Sequence, residues 1–156
     1  MVEPCDLDQV EILADSVEAE RTRLPERRPA SADAKLLDAI VRLAFDEIPK
    51  DPTRKEYRQG GTLGTGRKHW FRATFGAGRF RLFFRFRTDA RILVYVWVND
   101  QQTLRTYGDR DDAYATFARM PDGGNPPDDW DALLAEARSA DSAGRAEALA
   151  RRIGDR

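Results

Sequence analysis

The chain has 156 residues, of which 41% are hydrophobic and 34% charged, and its formal net charge at pH 7 is −1. Its length suits one domain, and no apolar run approaches the roughly 20 residues that a membrane-spanning helix needs. A single cysteine, Cys5, excludes an intramolecular disulfide, and one histidine, His69, is too few for a zinc site of the usual His and Cys ligands within one chain. The acidic first 20 residues lack the apolar stretch of a secretory signal, so we expect a cytoplasmic protein without a metal or other cofactor.

The first 50 residues predict a helical N-terminal part. Apolar residues three or four positions apart indicate a helix over residues 6–23. Ser31 is placed to cap a second helix over residues 32–48, and Pro49 is expected to end it.

Residues 67–100 predict a sheet of consecutive strands. Short strand signals at residues 70–75, 79–87 and 91–98 are separated by turn sequences. The last of them is apolar on both faces, which is typical of a central strand. The middle strand alternates at period two and is expected to place one set of side chains on each face of the sheet: Phe80, Leu82, Phe84 and Phe86 on one, and Arg79, Arg81, Phe83, Arg85 and Arg87 on the other.

Residues 106–152 predict the C-terminal helices, one over residues 106–120 and a second over 128–151 that begins acidic and ends basic. The element order favours an α+β fold in one domain over residues 1–156. In this fold an antiparallel sheet of three to four strands packs against the N-terminal helices, and helices cover one face of that sheet.

The small net charge conceals a basic middle segment. Between Arg54 and Arg87 the chain carries ten Lys and Arg residues and a single acidic residue, Glu56. Such asymmetry is typical of a site for a polyanion, although acidic helices that neutralise a basic sheet would also produce it. Because desolvating an unpaired charge costs several kcal/mol, we expect the arginine face of the middle strand to be left partly open.

An open row of arginines suits phosphate groups, since a guanidinium grips two phosphate oxygens and stays charged. Arg81 lies in the middle of its strand, with Arg79 and Arg85 near it and Arg72 on the neighbouring strand. The alternative is a solvated face of alternating arginines with no ligand.

Phosphodiester cleavage through the 2′-hydroxyl of RNA needs a base, cations for the phosphate oxygens, and an acid for the leaving oxygen. Tyr107 and Tyr114 are candidates for proton transfer or for stacking on bases. His69 could shuttle a proton, but a lone histidine is more often a surface residue.

Several motifs in one order carry a family resemblance over roughly residues 35–136. They are Phe-Gly-Ala-Gly-Arg-Phe-Arg-Leu-Phe-Phe-Arg (75–85), Trp-Val-Asn-Asp (97–100), Thr-Leu-Arg-Thr-Tyr-Gly (103–108), Asp-Ala-Tyr (112–114) and Pro-Pro-Asp-Asp-Trp (126–130). With them the chain resembles the YhaV toxins of type II toxin–antitoxin systems, in the RelE superfamily.

The resemblance implies a RelE/ParE-like fold and an endoribonuclease that cleaves mRNA, either free or assisted by the ribosome. It also implies a cognate antitoxin similar to PrlF, with an AbrB-type DNA-binding fold, and repression of the shared operon by the pair. Two other functions remain open: a ParE-like toxin that inhibits a topoisomerase without cutting RNA, and a non-catalytic RNA-binding module. The arginine row favours a polyanion partner and so disfavours the topoisomerase alternative.

The family pattern also implies site residues. Arg81 and Arg72 match its strand arginines, whereas Thr74 stands where the pattern has Lys, which leaves the general base open. The later arginine corresponds to Arg105 or Arg110 and the tyrosine to Tyr107 or Tyr114. The expected catalytic set is Arg72, Arg81, Arg105 and Tyr107, and the expected RNA-binding set is Lys68, Arg79, Arg85, Arg110 and Tyr114.

The N-terminus departs from the family pattern. Family members open with an Asn-Gly-Trp segment that resembles an edge strand, whereas this chain has Glu3-Pro4-Cys5 just before the first helix. We therefore expect either a start that is wrongly assigned or a sheet that lacks its first strand and leaves an edge uncovered.

Overall fold

The computed structural model describes residues 2–4, 8–59, 63, 66–99, 112–122 and 126–154. Its strands are β1 (Val2–Pro4), β2 (Phe71–Phe75), β3 (Phe80–Arg87) and β4 (Ile92–Val98), and its helices are α1 (Asp8–Arg23), α2 (Ala32–Arg42), α3 (Ile48–Lys50), α4 (Ala113–Asp122), α5 (Trp130–Ala137) and α6 (Ala140–Gly154). The expected α+β composition, with helices before and after the sheet, is confirmed.

The four strands form one sheet in the order β1-β4-β3-β2. Strands β2, β3 and β4 are antiparallel neighbours, as the alternating pattern predicted, and β4 occupies the expected central position. Strand β1 pairs in parallel with β4, Val2 opposite Leu93. Of the two alternatives expected for the N-terminus, a sheet without its first strand is therefore wrong, because residues 2–4 supply one.

The second helix continues past the point where the sequence predicted its end. Helix α2 passes into a π-helical turn at Leu43–Glu47, and α3 then includes Pro49. The N–H of Ile48 bonds to the carbonyl of Leu43, five residues earlier. Pro49 lies in the first turn of α3, a position where a proline is tolerated because its missing N–H would have no partner within that turn. Pro49 is thus accommodated within helical structure.

One face of the sheet packs on α1, α2 and α6. Its core contains the predicted apolar face of β3 (Phe80, Leu82 and Phe84) together with helix residues such as Leu13, Leu37, Ile40 and Leu149. Four ion pairs join α6 to α1: Arg145 to Asp8 and Glu11, and Arg152 to Asp15 and Glu18. None of the described helices is long and apolar enough to cross a bilayer.

The opposite face, which carries the arginines of β3, is covered as well. Phe83, Val94 and Val96 pack there against Phe117 of α4 and Leu133 of α5. The ring of Phe83 stacks on that of Phe117 with centroids 4.2 Å apart. Helices thus cover both faces, and the prediction of one covered face is wrong because Phe83 and the apolar outer face of β4 need a second core.

The C-terminal helices also differ from their expected bounds. Residues 128–151 form two helices rather than one, since α5 ends at Ala137 and α6 begins at Ala140. Asp129 caps α5 by accepting the N–H of Ala132 at 2.9 Å. The described part of the helix expected over residues 106–120 begins at Ala113, and residues 106–111 lie outside the described chain.

Candidate active site

Arg81 lies beneath α4 and is only 8% exposed, so the expectation of an open arginine row is wrong at its centre. Its guanidinium donates through Nε to the hydroxyl of Tyr114 at 3.1 Å. Its Nη1 donates to the carbonyls of Gly78 at 2.7 Å and Phe80 at 3.1 Å. These neutral acceptors offset much of the desolvation cost that argued against burial. No described carboxylate forms an ion pair with Arg81.

Tyr114 joins the arginines of two neighbouring strands. Its hydroxyl oxygen also accepts the Nε–H of Arg72 at 2.6 Å, and Nη1 of Arg72 donates to the carbonyl of Glu56. The Tyr114 ring is buried edge-on against Phe83, with centroids 5.7 Å apart. Two guanidinium groups therefore converge on one phenol oxygen, which we call the Arg72–Tyr114–Arg81 centre.

Asn99 fixes the strand that carries Arg81. Its side chain is fully buried, and its Oδ1 accepts the main-chain N–H of Arg81 at 2.6 Å. Its Nδ2 donates to the carbonyl of Arg79 at 3.1 Å. The Asn99 side chain thus extends the β3–β4 ladder by one more pair of bonds.

A groove of about 290 Å³ runs beside the centre at the edge of β2. Arg72, Thr74, Arg54 and Glu56 line it together with Tyr57. Thr74 is exposed and lies directly opposite Arg81 in the β2–β3 pairing. The position where the family pattern has Lys therefore adjoins the two arginines, but it offers a hydroxyl group in place of an amine.

A second cluster lies further along the same face, around Arg85. The guanidinium carbon of Arg85 is 5.0 Å from the ring centroid of Trp70 and 5.4 Å from that of Trp130. Its Nη1 donates to the main-chain carbonyl of Asp128 at 2.6 Å. The carboxylate of Asp128 accepts the indole N–H of Trp70 at 2.8 Å and lies 3.0 Å from Nε2 of His69.

Two pKa values in this cluster depart from their ordinary range. Burial lowers the pKa of the Arg85 guanidinium, although the nearby carboxylates of Asp128 and Asp129 oppose the shift. Burial acts to raise the pKa of Asp128, but hydrogen bonds from Trp70 and His69 outweigh it and the net shift is downward. A charged Asp128 is therefore part of the folded cluster.

Two more residues of the expected sets, Lys68 and Arg79, lie within the described part of the chain. Lys68 and Arg79 are exposed, and Arg87 pairs with Asp89 at 2.7 Å. Arg105, Tyr107 and Arg110 lie outside the described residues. Among the residues that the structure does describe, no three His, Cys, Asp or Glu side chains lie close enough together to hold a metal ion.

Reasoning on residue types missed Asn99, Trp70 and Asp128. Asn99 and Asp128 fall inside the Trp-Val-Asn-Asp and Pro-Pro-Asp-Asp-Trp motifs, so the family resemblance marked them without giving a role. Their contacts span 18 to 58 positions of sequence, which a local pattern does not reveal.

Comparison with known proteins identifies the family of the chain. A family model described as a toxin with endonuclease activity, of a toxin–antitoxin system, matches residues 1–138. Toxin YhaV of Escherichia coli O6:H1 (strain CFT073) is 38% identical over 138 residues, covering 88% of this chain and 90% of the relative. Ribonuclease toxin YhaV of Escherichia coli (strain K12) is 39% identical over 134 residues, covering 85% and 87%. No solved structure matches. The chain therefore belongs to the YhaV family of toxins, endonucleases that act within toxin–antitoxin systems.

Proposed function

We propose that the chain is an endoribonuclease that cleaves mRNA without a metal, by attack of a ribose 2′-hydroxyl on the adjacent phosphate at the Arg72–Tyr114–Arg81 centre. The observation that carries this proposal is the convergence of Nε of Arg72 and Nε of Arg81 on the Tyr114 hydroxyl, at 2.6 and 3.1 Å. The printed name of the K12 relative, a ribonuclease toxin, supports RNA as the substrate.

The two arginines supply the charge that such a reaction needs. Negative charge builds on the phosphate oxygens in the transition state, and fixed cations in a low-dielectric site stabilise it strongly. Nη2 of Arg72 and Nη2 of Arg81 have no hydrogen-bond partner among the described residues, whereas Nε and Nη1 of each are held by the protein. Each guanidinium is thus fixed by two of its nitrogens and keeps one for a phosphate oxygen.

We assign the role of proton donor to Tyr114. Its oxygen accepts one N–H from each of the two arginines, so the phenol adjoins the proposed phosphate site, and a phenol O–H can donate a proton. A proton donor at this point serves the leaving 5′-oxygen, and general acid catalysis of this kind typically contributes 10²- to 10⁴-fold. We therefore propose Tyr114 for the tyrosine role because of its contacts with both arginines; Tyr107, which the sequence preferred, lies outside the described residues.

The remaining assignments complete the proposal. Tyr107 and Arg105 stay candidates for the general base and a further cation, because Thr74 lacks a basic group. Lys68, Arg79, Arg85 and Arg110 are proposed to bind the RNA backbone on either side of the cleaved bond. The exposed side chains of Lys68 and Arg79 are consistent with phosphate contacts, which position a strand without reading its sequence.

We also infer a RelE/ParE-like fold in one domain over residues 1–156. The order of a first strand, two helices, an antiparallel meander and C-terminal helices supports the likeness, and a single sheet shared by both cores supports one domain. We propose that the cognate antitoxin is PrlF-like and has an AbrB-type fold. We also propose that the ribosome assists cleavage and that the toxin acts in the cytoplasm.

The test is cleavage of end-labelled mRNA in EDTA, with and without ribosomes, by the wild-type protein freed of antitoxin. We expect cleavage in EDTA in at least one of the two conditions. Absence of cleavage in both would remove the proposal and favour a toxin that binds without cutting. Cleavage only after a divalent metal is restored would overturn the metal-free mechanism while leaving the endonuclease activity intact.

A further inference from the structure

Aromatic rings and guanidinium groups alternate at the far end of the arginine face, beyond the catalytic centre. Arg85 lies over Trp70 and Trp130, and the guanidinium carbon of Arg87 is 5.9 Å from the Trp130 centroid. We propose that these four side chains, the stacking ladder (Trp70, Arg85, Trp130 and Arg87), bind an unpaired nucleobase of the substrate beside the cleaved bond. The inference rests on the proposed RNA cleavage.

The ladder is anchored at one end and accessible at the other. Trp70 is fully buried and stacks edge-on against Phe117 of the second core, with centroids 5.2 Å apart. Trp130 is half-buried, and the Arg87 side chain is 48% exposed. A ligand can therefore reach the outer part of the ladder, at Trp130 and Arg87, without displacing the core.

Asp128 holds the inner part of the ladder in place. Its carboxylate accepts the indole N–H of Trp70, and its main-chain carbonyl accepts Nη1–H of Arg85 at 2.6 Å. Because these side chains are already fixed, ligand binding immobilises few further rotamers, which favours affinity. The arrangement is more rigid than a set of solvated surface arginines.

The chemistry of the ladder suits a base better than a phosphate alone. Unpaired RNA bases stack on indole rings and on guanidinium planes, and cations near those rings add attraction. The guanidinium of Arg85 lies against both indole rings, so its charge adds to the attraction of the ladder for an RNA strand. Arg87 does pair with Asp89, but this pair is exposed and such pairs contribute little.

The position of the ladder indicates which nucleotide it contacts. Arg85 follows Arg81 by four residues along β3, which corresponds to roughly 13 Å at the usual rise of a strand. The base it binds therefore belongs to a nucleotide that flanks the cleaved bond. Purines offer more ring surface than pyrimidines, so we expect faster cleavage when a purine occupies that flanking position.

The experiment compares kcat/KM on short single-stranded RNAs that differ only in the base at each flanking position. The proteins are the wild type, Arg87→Gln, Trp130→Phe and Trp130→Ala, with Arg27→Gln as the control because it makes the same charge change on the exposed loop between α1 and α2. We expect a purine preference in the wild type and in Arg27→Gln. Trp130→Ala should lower kcat/KM on purine substrates about 5- to 150-fold, the effect of losing one base–aromatic stack, while Trp130→Phe retains the preference.

The outcomes separate this inference from the proposed function. Wild-type cleavage with a base preference that is unchanged in both Arg87→Gln and Trp130→Ala would overturn the stacking ladder and leave the nuclease assignment standing. Absence of wild-type cleavage both with and without ribosomes would overturn the proposed RNA cleavage itself. Since Trp130 also packs on the second core, thermal melting of every variant accompanies the assay, and Arg87→Gln, at an exposed side chain, decides the matter if Trp130→Ala does not fold.

Discussion

The Oδ1 atom of Asn99 accepts the main-chain N–H of Arg81 at 2.6 Å, where solvent does not reach either group. Asn99 follows directly after β4, and Arg81 is the second residue of β3. One buried amide therefore sets the backbone position of the arginine on which the proposed chemistry depends.

Asn99→Ala should destabilise the protein and disturb the site together. It leaves the buried N–H of Arg81 without its Asn99 partner, which costs about 1–3 kcal/mol, and it also removes the part-buried bond to the carbonyl of Arg79. We expect the free energy of unfolding, measured with urea, to fall by about 2 kcal/mol or more. Arg27→Gln serves as the control. If Asn99→Ala lowers the free energy of unfolding no more than Arg27→Gln does, the Asn99 bonds contribute little to folding.

Arg81→Ala should reduce RNA cleavage about 100- to 1000-fold, the usual effect of losing one well-placed donor to a transition state, and should abolish growth inhibition. Antitoxin binding should persist. Arg81→Lys keeps the charge but cannot maintain the three bonds to Tyr114, Gly78 and Phe80, so its rate should also stay below that of the wild type. Normal cleavage and toxicity in Arg81→Ala would show that the site is wrongly assigned.

Tyr114→Phe tests the proton donor with the ring packing preserved. The variant keeps the contact with Phe83 but removes the hydroxyl shared by Arg72 and Arg81, and we expect at least about a 100-fold lower cleavage rate. The matched control is Tyr95→Phe, which removes a buried hydroxyl that donates to Ala44 at 2.5 Å beneath the opposite face of the sheet. Equal losses of rate in the two variants would reduce the role of Tyr114 to stability alone.

The Asp128 cluster should make stability depend on acid pH. The pKa of Asp128 is lowered in the folded protein, so its contribution is complete above the unfolded-state value, about 3.9, and is lost as the pH falls through the lower folded-state pKa. Urea unfolding from neutral pH to about pH 3 should show a shallower decline in Asp128→Asn than in the wild type. Asp131→Asn, an exposed change in the first turn of α5, serves as the control and should decline as steeply as the wild type.

Local patterns predicted the elements of the fold well, because alternation along β3 and turn residues between strands are properties of adjacent residues. The same patterns could not show that α4 and α5 cover the arginine face. Phe83 was the residue in the sequence that indicated this cover, because it is an aromatic side chain on the same face as the arginines and its ring is buried there. The burial of Arg81 depends on Tyr114, 33 positions later, and no local pattern links the two.

The site was predicted in part. Arg72 and Arg81 do lie together, and Tyr114 contacts both of them, whereas the preference for Tyr107 stays a prediction because residue 107 lies outside the described chain. Asp128 binds Trp70 and Arg85 through one carboxylate and one carbonyl, a combination that depends on how α5 approaches the sheet. Contacts of this kind arise from tertiary packing, and no local sequence pattern indicates them.

The most direct test of the central claim replaces the ribose 2′-hydroxyl at the cleaved nucleotide with hydrogen in an otherwise unmodified RNA. Attack by that hydroxyl at the Arg72–Tyr114–Arg81 centre predicts no cleavage of the deoxy substrate, with the parent RNA yielding a 2′,3′-cyclic phosphate and a 5′-hydroxyl end. Cleavage of the deoxy substrate at the same bond and at a similar rate would contradict the mechanism.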